Sequence, residues 1–150
     1  MSYPYSTYVQ NEILNANPER LVQILYDIAG QAITAARACL KAKDVGGRVR
    51  HINRAFAAFV ELNDGLDFEA GKEIAINYAR IYEYCRRRLL EGNVAQDDAV
   101  LAEVQDLLSE LQESWQIVVS KLSAERTARF AAEEILPSEE ALAGGLSLVG

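Results

Sequence analysis

Residues 17–39, NPERLVQILYDIAGQAITAARAC, determine the predicted fold class of this 150-residue chain. Asn17 can cap a helix with its side-chain oxygen, and Pro18 suits the first helical position because its missing N–H would be unpaired there. Apolar residues then recur at helical spacing on one side of the segment, at Leu21, Leu25, Ile28, Ala32, Ala35 and Cys39. The stretch therefore predicts a capped helix with one buried face, and Gly46 and Gly47 predict where the chain leaves it.

The same periodicity occurs three more times, and no segment shows the sustained alternation that is typical of a strand. The later stripes are Ile52, Phe56, Phe59 and Leu62, then Ile74, Tyr78, Ile81, Cys85 and Leu89, then Val104, Leu108, Leu111, Trp115, Val118 and Leu122. They predict a second helix over 48–66, a connector at 67–71, a third helix that stops at Gly92 and Asn93, and a fourth from Asp97 and Asp98 to 130–134. Pro137 then predicts the end of regular structure.

These helices predict an all-α fold, an antiparallel up-down four-helix bundle, because short connectors make consecutive helices antiparallel neighbours. The fourth helix is the longest, so we expect its end to overhang the bundle. We expect an N-terminal tail or cap over 1–16, with a short helix near Tyr8 to Leu14, a bundle domain over 17–134 and a flexible tail over 135–150.

Charge and cysteine usage limit the partners and the compartment. The net charge is −7 and most of the acidic residues follow residue 88, which argues against nucleic acid as a partner. The basic run at residues 86–88 predicts a solvated helix flank, since consecutive helical residues point in different directions. Cys39 and Cys85 lie in apolar helical patterns, and no apolar run approaches the roughly 20 residues of a membrane span. These features predict a reduced, cytoplasmic protein without membrane insertion.

The sequence contains no motif for catalysis, metal binding or phosphate binding. A metal site in a helical bundle uses Glu-x-x-His on two helices, but His51 is the single histidine of the chain. Neither cysteine has a motif histidine that would activate it. Gly46 and Gly47 follow a helix and lack the lysine of a phosphate-binding loop. We therefore expect no enzyme and no cofactor.

Large apolar residues beside the stripes admit two interpretations. Ile24, Val60, Ile76, Tyr82 and Val119 could broaden the buried faces, as in ordinary bundles, or they could line grooves that accept an amphipathic partner helix. The tyrosines near the N-terminus, Tyr3, Tyr5 and Tyr8, have no periodic element to bury them and suit half-wet contacts with such a groove.

Several motifs resemble those of FliS, the flagellar export chaperone family that binds flagellin. They are Tyr8 with residues 16–27, then Leu62 to Asp67, Gly71, Glu73, Ile74, Ala75, Asn77, Ile81, Tyr82, Tyr84, Arg87, Leu89 and Asn93, and finally Glu103, Val104, Leu107, Leu108, Leu111 and Trp115. The similarity covers about residues 5–120, and Asn17 stands where the family usually has a serine cap.

The resemblance implies a cytoplasmic, non-enzymatic chaperone that holds the disordered C-terminal segment of flagellin along hydrophobic grooves, prevents premature polymerisation and aids type III export. Export-gate components are further expected partners, and the expected state is a monomer or weak homodimer. The candidate flagellin-binding residues are Tyr5, Tyr8, Leu21, Ile24, Ile28, Ile52, Phe56, Phe59, Ile74 and Ile81. An alternative function is a helical adaptor or regulator that binds another flagellar or export component.

The two tails carry separate hypotheses. The N-terminal tail would cover part of a groove in the free protein and move when flagellin binds. The C-terminal cluster Leu142, Leu146, Leu148 and Val149 would either fold back into the groove as a mimic or belong to a disordered, solubilising tail.

Overall fold

The described part of the chain consists of four helices. The computed structural model of the protein describes residues 17–135, with the backbone alone at 133–135. The helices are α1 (Pro18–Lys41), α2 (Val45–Asp64), α3 (Phe68–Ala95) and α4 (Asp98–Ile135), and no strand occurs within residues 17–135. The predicted all-α, four-helix fold is confirmed.

Helix α1 begins as its sequence predicts and ends earlier. The Asn17 side chain accepts a hydrogen bond from the Arg20 backbone N–H at 2.8 Å, and Pro18 is the first helical residue. At the other end, Lys43 turns the chain with φ of 60°, and Asp44 caps α2 by accepting from the Gly47 N–H at 3.0 Å. The prediction that Gly46 and Gly47 end the first helix is therefore wrong, because both lie in the first turn of α2, behind a capping aspartate.

Helix α3 has an irregular start. Asp67 caps it by accepting from the backbone N–H groups of Glu69 and Ala70, so the predicted connector at 67–71 contains one helical turn. Lys72 then interrupts the helix with φ of 48° and ψ of −121°. At its far end α3 extends past the predicted stop to Ala95, where Gln96 adopts the left-handed conformation.

Adjacent helices are antiparallel, as cross-helix contacts establish. Helix α1 packs against α2, and α2 packs against α3. Between α2 and α3, Arg48 donates to Asn93 at 2.8 Å, and the Phe59 and Tyr82 rings lie 6.2 Å apart. Between α1 and α4, hydrogen bonds join Asp27 to Gln112, Thr34 to Gln105 and Arg37 to Asp98. The α3–α4 pair is held by Tyr84 and Arg88, which both donate to Glu103.

In the core, small residues lie on α1 and α2, and aromatic residues connect the diagonally opposite helices α1 and α3. The fully buried small residues are Ala29, Ala32 and Ala36 of α1 and Ala55 and Ala58 of α2. Residues of this size let two helix backbones approach closely. Tyr26 of α1 reaches across to Tyr82 of α3, with their hydroxyl oxygens 2.6 Å apart. Helices α1 and α3 therefore meet in the core as well as through their neighbours.

The chain divides into two compact units, Met1–Gln112 and Glu113–Gly150. The first contains α1, α2, α3 and the first part of α4. In the second, every described residue from 120 to 132 is exposed. The predicted tail at 1–16, its short helix near Tyr8, the end of structure at Pro137 and the tail beyond 135 lie outside the described residues.

Candidate functional site

The predicted apolar stripe of α3 passes from the core to the surface along its length. Cys85 and Leu89 are fully buried, whereas Tyr78 and Ile81 are half-buried. Ile74 occupies the same face of the helix but is 63 % exposed. The stripe therefore continues beyond the part of the core that covers it.

The lengths of α1 and α2 explain this exposure. Tyr26 and Tyr82 contact each other, and Pro18 and Ile74 each lie eight residues before them in parallel helices, so α1 begins at the level of Ile74. Phe68 and Ile76 are also exposed, at 51 % and 43 %, but Ile76 lies about 200° around the helix from Ile74 and Phe68 precedes the break at Lys72. We call the outer end of the stripe, Ile74 with the half-buried Tyr78, the α3 apolar surface.

The candidate residues predicted from the sequence fall into three groups. Ile24, Ile28, Ile52 and Phe59 lie in the core, with no more than 5 % of their surface exposed. A partner could touch these four only if the helices separated, so they support the surface from beneath in this structure. Leu21, Phe56 and Ile81 are half-buried, Ile74 is exposed, and Tyr5 and Tyr8 lie outside the described residues.

The accessible candidates lie in more than one place. Leu21 lies in the first turns of α1, at the same end of the first unit as Ile74, because α1 and α3 run in parallel. Phe56 lies on α2 one turn before Phe59, whose ring packs on Tyr82. It therefore belongs to the middle of the α2–α3 pair rather than to the end that carries Ile74.

A cluster of packed aromatic rings adjoins the α3 apolar surface. Tyr78 stacks on Tyr82 with ring centroids 5.9 Å apart, and Tyr82 also contacts Tyr26 and Phe59. Burial raises the pKa of Tyr82 to about 12 and that of Tyr26 well above its ordinary value, so both phenols stay neutral at physiological pH. Their mutual hydrogen bond gives each buried hydroxyl a partner.

The α3–α4 pair carries a network of charged side chains. Glu103 accepts from Tyr84 and from Arg88, and these two hydrogen bonds, the Tyr84 bond first, hold the pKa of Glu103 below its usual range. Arg88 also bonds Glu91 at 2.7 Å, while Arg87 lies within 4.0 Å of Glu83 and Glu91. The expectation of a solvated flank at 86–88 fits Arg87, which is exposed, but Arg86 and Arg88 are partly buried.

A separate cavity of about 470 Å³ lies beside the end of α1. Its lining consists of Arg37, Ala38, Leu40, Lys41 and Asp98. The Arg37 guanidinium donates to Asp98 through two nitrogens, at 2.8 and 2.9 Å, and to Gln105 through the third. The lining charges are thus largely satisfied by each other, and none of the candidate residues borders this cavity.

The described residues hold neither a metal-binding cluster nor a membrane span. Within the described residues, no three His, Cys, Asp or Glu side chains come together in a way that could hold a metal ion. The helices of that same part of the chain are too short or too polar to cross a bilayer. The described surface does carry exposed large apolar side chains, such as Ile74.

The sequence does not predict two features of this region. Phe68 falls in the predicted connector at 67–71, yet it begins the first turn of α3 and is 51 % exposed. The Tyr26–Tyr82 contact is the second, because neither residue belongs to a predicted stripe. The signal for it is that a buried phenol needs a hydrogen-bond partner for its hydroxyl.

Comparisons with known proteins agree on one family. The family model described as flagellar protein FliS matches residues 1–122. The flagellar secretion chaperone FliS of Salmonella typhimurium is 35 % identical over 116 residues, covering 77 % of this chain and 86 % of the relative. The flagellar secretion chaperone FliSB of Pseudomonas aeruginosa is 33 % identical over 107 residues, covering 71 % and 85 %. FliS of Bacillus subtilis is 26 % identical over 123 residues, covering 82 % and 91 %.

Proposed function

Because the chain belongs to the FliS family of flagellar secretion chaperones, we propose that its client is flagellin and that it holds the disordered C-terminal segment of flagellin in the cytosol until export. The family consists of chaperones, so the protein acts by binding and is not an enzyme. We place the binding surface on α3 because Ile74, a residue of its core-facing stripe, is 63 % exposed.

The α3 apolar surface suits an amphipathic helix of the client. Fully burying an isoleucine side chain contributes roughly 1.5–3 kcal/mol, and Ile74 has more than half of that surface available. Ordering a disordered segment costs several kcal/mol, so the client must cover further surface as well. Leu21, Phe56 and Ile81 are half-buried and supply such additional contacts.

Masking the client explains how binding aids export. The apolar faces of flagellin that would pair with other subunits in a filament are covered, which lowers the concentration able to polymerise. Export-gate components are the further partners of the loaded chaperone, which acts as a monomer or weak homodimer.

The N-terminal segment is part of the proposal. The chain enters α1 at Pro18, at the end where Ile74 is exposed, and Tyr8 precedes Pro18 by ten residues. Ten residues span up to roughly 35 Å, which brings Tyr5 and Tyr8 within reach of the α3 apolar surface. These rings cover the surface in the free protein and move when flagellin binds.

Two charge substitutions on α3 test the choice of surface. Ile74→Glu is expected to weaken binding of a C-terminal flagellin fragment at least about 10-fold in calorimetry, because it places a charge in an apolar contact. The matched control is Val94→Glu on the same helix, where the side chain is 82 % exposed and lies away from the α3 apolar surface. Both variants should keep the helicity of the parent protein.

The outcome that contradicts the proposal is specific. If Ile74→Glu binds the fragment as tightly as Val94→Glu does, the α3 apolar surface is not the binding surface. Flagellin lacking its C-terminal segment should not bind at all, and equal binding of the truncated protein would place the recognised segment elsewhere.

A further inference from the structure

The bend at the start of α3 puts a lysine into a backbone conformation that suits glycine. Lys72 has φ of 48° and ψ of −121°, close to the first central position of a type II′ turn. The neighbouring Gly71 does not have a positive φ, and a Cβ atom there would come within 2.9 Å of the Ala75 Cβ. The strain therefore falls on Lys72, and strain of this kind is typical of ligand clamps and switch segments.

The bend separates Phe68 from the rest of α3. Asp67 accepts the backbone N–H groups of the two residues after Phe68, and its carbonyl accepts from Gly71 at 2.8 Å, so the first turn is complete in itself. In a straight helix Phe68 would lie about 20° around the axis from Ala75, which is buried and marks the core-facing side. Straightening α3 would therefore move the exposed Phe68 ring to the apolar side of the helix.

A straight α3 needs a longer connector from α2. In the register that the Arg48–Asn93 hydrogen bond fixes, Leu62 lies at the level of Ala79, and a straight helix would place Phe68 about 17 Å beyond that level. With helix axes about 8–10 Å apart, the chain from Leu62 to Phe68 would have to span about 19 Å. Six Cα steps reach about 21 Å, so α3 can straighten if α2 ends at Leu62.

The last residues of α2 can leave the helix at low cost. Asn63, Asp64 and Gly65 have low helix propensities, and the last two of them are exposed to water that can replace their backbone hydrogen bonds. Leu62 is buried and would stay in place as the new end of α2. Two ways of joining α2 to α3 therefore compete. One keeps α2 complete and strains Lys72, whereas the other unwinds the end of α2 and relieves that strain.

We propose that the client selects the straight form of α3, so that the bend at Lys72 is lost on binding and Phe68 joins Ile74 and Tyr78 in the contact. The inference rests on the proposed function and adds Phe68 to its binding residues. A ligand shifts such an equilibrium only through contacts that differ between the two forms. Here the differing contact is Phe68, which reaches the apolar side of α3 in the straight form alone.

Two substitutions test the two parts of this inference. Glycine adopts the bent conformation without strain, so Lys72→Gly stabilises the bent form and makes straightening more costly. Its melting temperature should rise, yet calorimetry should show at least about 5-fold weaker binding of a C-terminal flagellin fragment. Phe68→Ala should also weaken binding at least about 5-fold, while the melting temperature stays nearly the same because the ring is half exposed in the free protein.

Two control variants separate the bend from side-chain charge and from stability. Lys72→Ala removes the charge but keeps the strain, so it should bind the fragment at least as tightly as the wild type. Gln96→Gly relieves a left-handed residue at the other end of α3, and it should leave the affinity unchanged. Hydrogen exchange gives a direct readout. The amides of Asp64 and Gly65 should exchange faster in the complex than in the free protein, whereas that of Val94 should not change.

The possible failures are distinguishable. If Lys72→Gly binds the fragment as tightly as Lys72→Ala does, or if Asp64 and Gly65 exchange more slowly in the complex, the bend persists there and the inference is overturned while the proposed function stands. Wild-type affinity of Phe68→Ala, or equal losses in Lys72→Gly and Gln96→Gly, would overturn it as well. If the wild type does not bind the fragment, the proposed function fails first.

Discussion

Replacing Lys72 with glycine should stabilise the protein, because Lys72 is held in a strained backbone conformation. Its φ of 48° with ψ of −121° lies outside the left-handed helical region and costs a non-glycine residue about 1–3 kcal/mol. Glycine relieves that strain but loses about 0.5–1 kcal/mol to its greater freedom in the unfolded chain. Lys72 is exposed, so its side chain contributes little. The expected net gain is about 1 kcal/mol.

The strain persists because the connector before α3 is short. The register of α2 and α3 places Asp64 at the level of Asn77, and a straight α3 would put Phe68 about 14 Å past that level. The next helix axis is also about 8–10 Å to the side, whereas the four Cα steps from Asp64 to Phe68 span at most about 15 Å. The first turn of α3 must therefore fold back, and the backbone bends at Lys72.

Denaturant unfolding followed by circular dichroism measures the effect. Lys72→Gly should raise the free energy of unfolding by about 1 kcal/mol, which corresponds to roughly 2–4 °C in melting temperature. Lys72→Ala, which removes the side chain but keeps the strain, should change it little. Gln96→Gly is a second control, because its φ of 52° and ψ of 45° lie in the milder left-handed region. A Lys72→Gly variant no more stable than Lys72→Ala would refute the argument.

Two further predictions concern alkaline pH and a close glycine contact. The pKa of Tyr82 is raised from 10.0 to about 12 by burial, so its contribution to stability is complete below pH 10 and is lost as the pH rises to about 12. In urea unfolding Tyr82 should account for about 2–3 kcal/mol of the loss over that range, and Tyr26 and Cys85, whose pKa values burial also raises, add to it. Tyr82→Phe should make the free energy of unfolding depend less steeply on pH in this range. An unchanged dependence would mean that groups other than Tyr82 cause the loss. Gly47→Ala should cost about 1–2 kcal/mol, because a Cβ atom collides with the capping side chain of Asp44, whereas Gly46→Ala meets nothing closer than 4.0 Å and should stabilise by about 0.5–1 kcal/mol. If both substitutions changed the melting temperature equally, the collision with Asp44 would not be the cause.

Local signals in the sequence predict where α1 and α4 start, whereas α2 and α3 each begin a few residues before the predicted position. Asn17 before Pro18 marks the beginning of α1 because both residues act through their nearest neighbours. Asp97 and Asp98 mark the beginning of α4 for the same reason. Helix ends are predicted less well. Gly46 and Gly47 suggested an exit, but the capping aspartate before them starts α2, and Gly92 is buried inside α3.

The sequence predicts the apolar faces but not their depth. Ile24 and Ile74 both belong to apolar helical patterns, yet Ile24 is 5 % exposed and Ile74 is 63 % exposed. Periodicity shows which face of a helix points inward, whereas exposure depends on how far the neighbouring helices extend along it. That extension is set by connector length and register between residues far apart in sequence, such as Arg48 and Asn93.

One stripe of residues on α3 can therefore serve both the core and the client. Cys85 and Leu89 are covered because α1 and α2 extend alongside them, but α1 begins at the level of Ile74 and α2 ends at the level of Asn77. The proposed binding surface therefore needs no side chains different from those of the core, because it forms where the neighbouring helices end. A client helix laid over Ile74 would continue the packing that Tyr78 and Cys85 already make. Such a surface favours any apolar helix that fits, so discrimination among clients must come from polar groups around it.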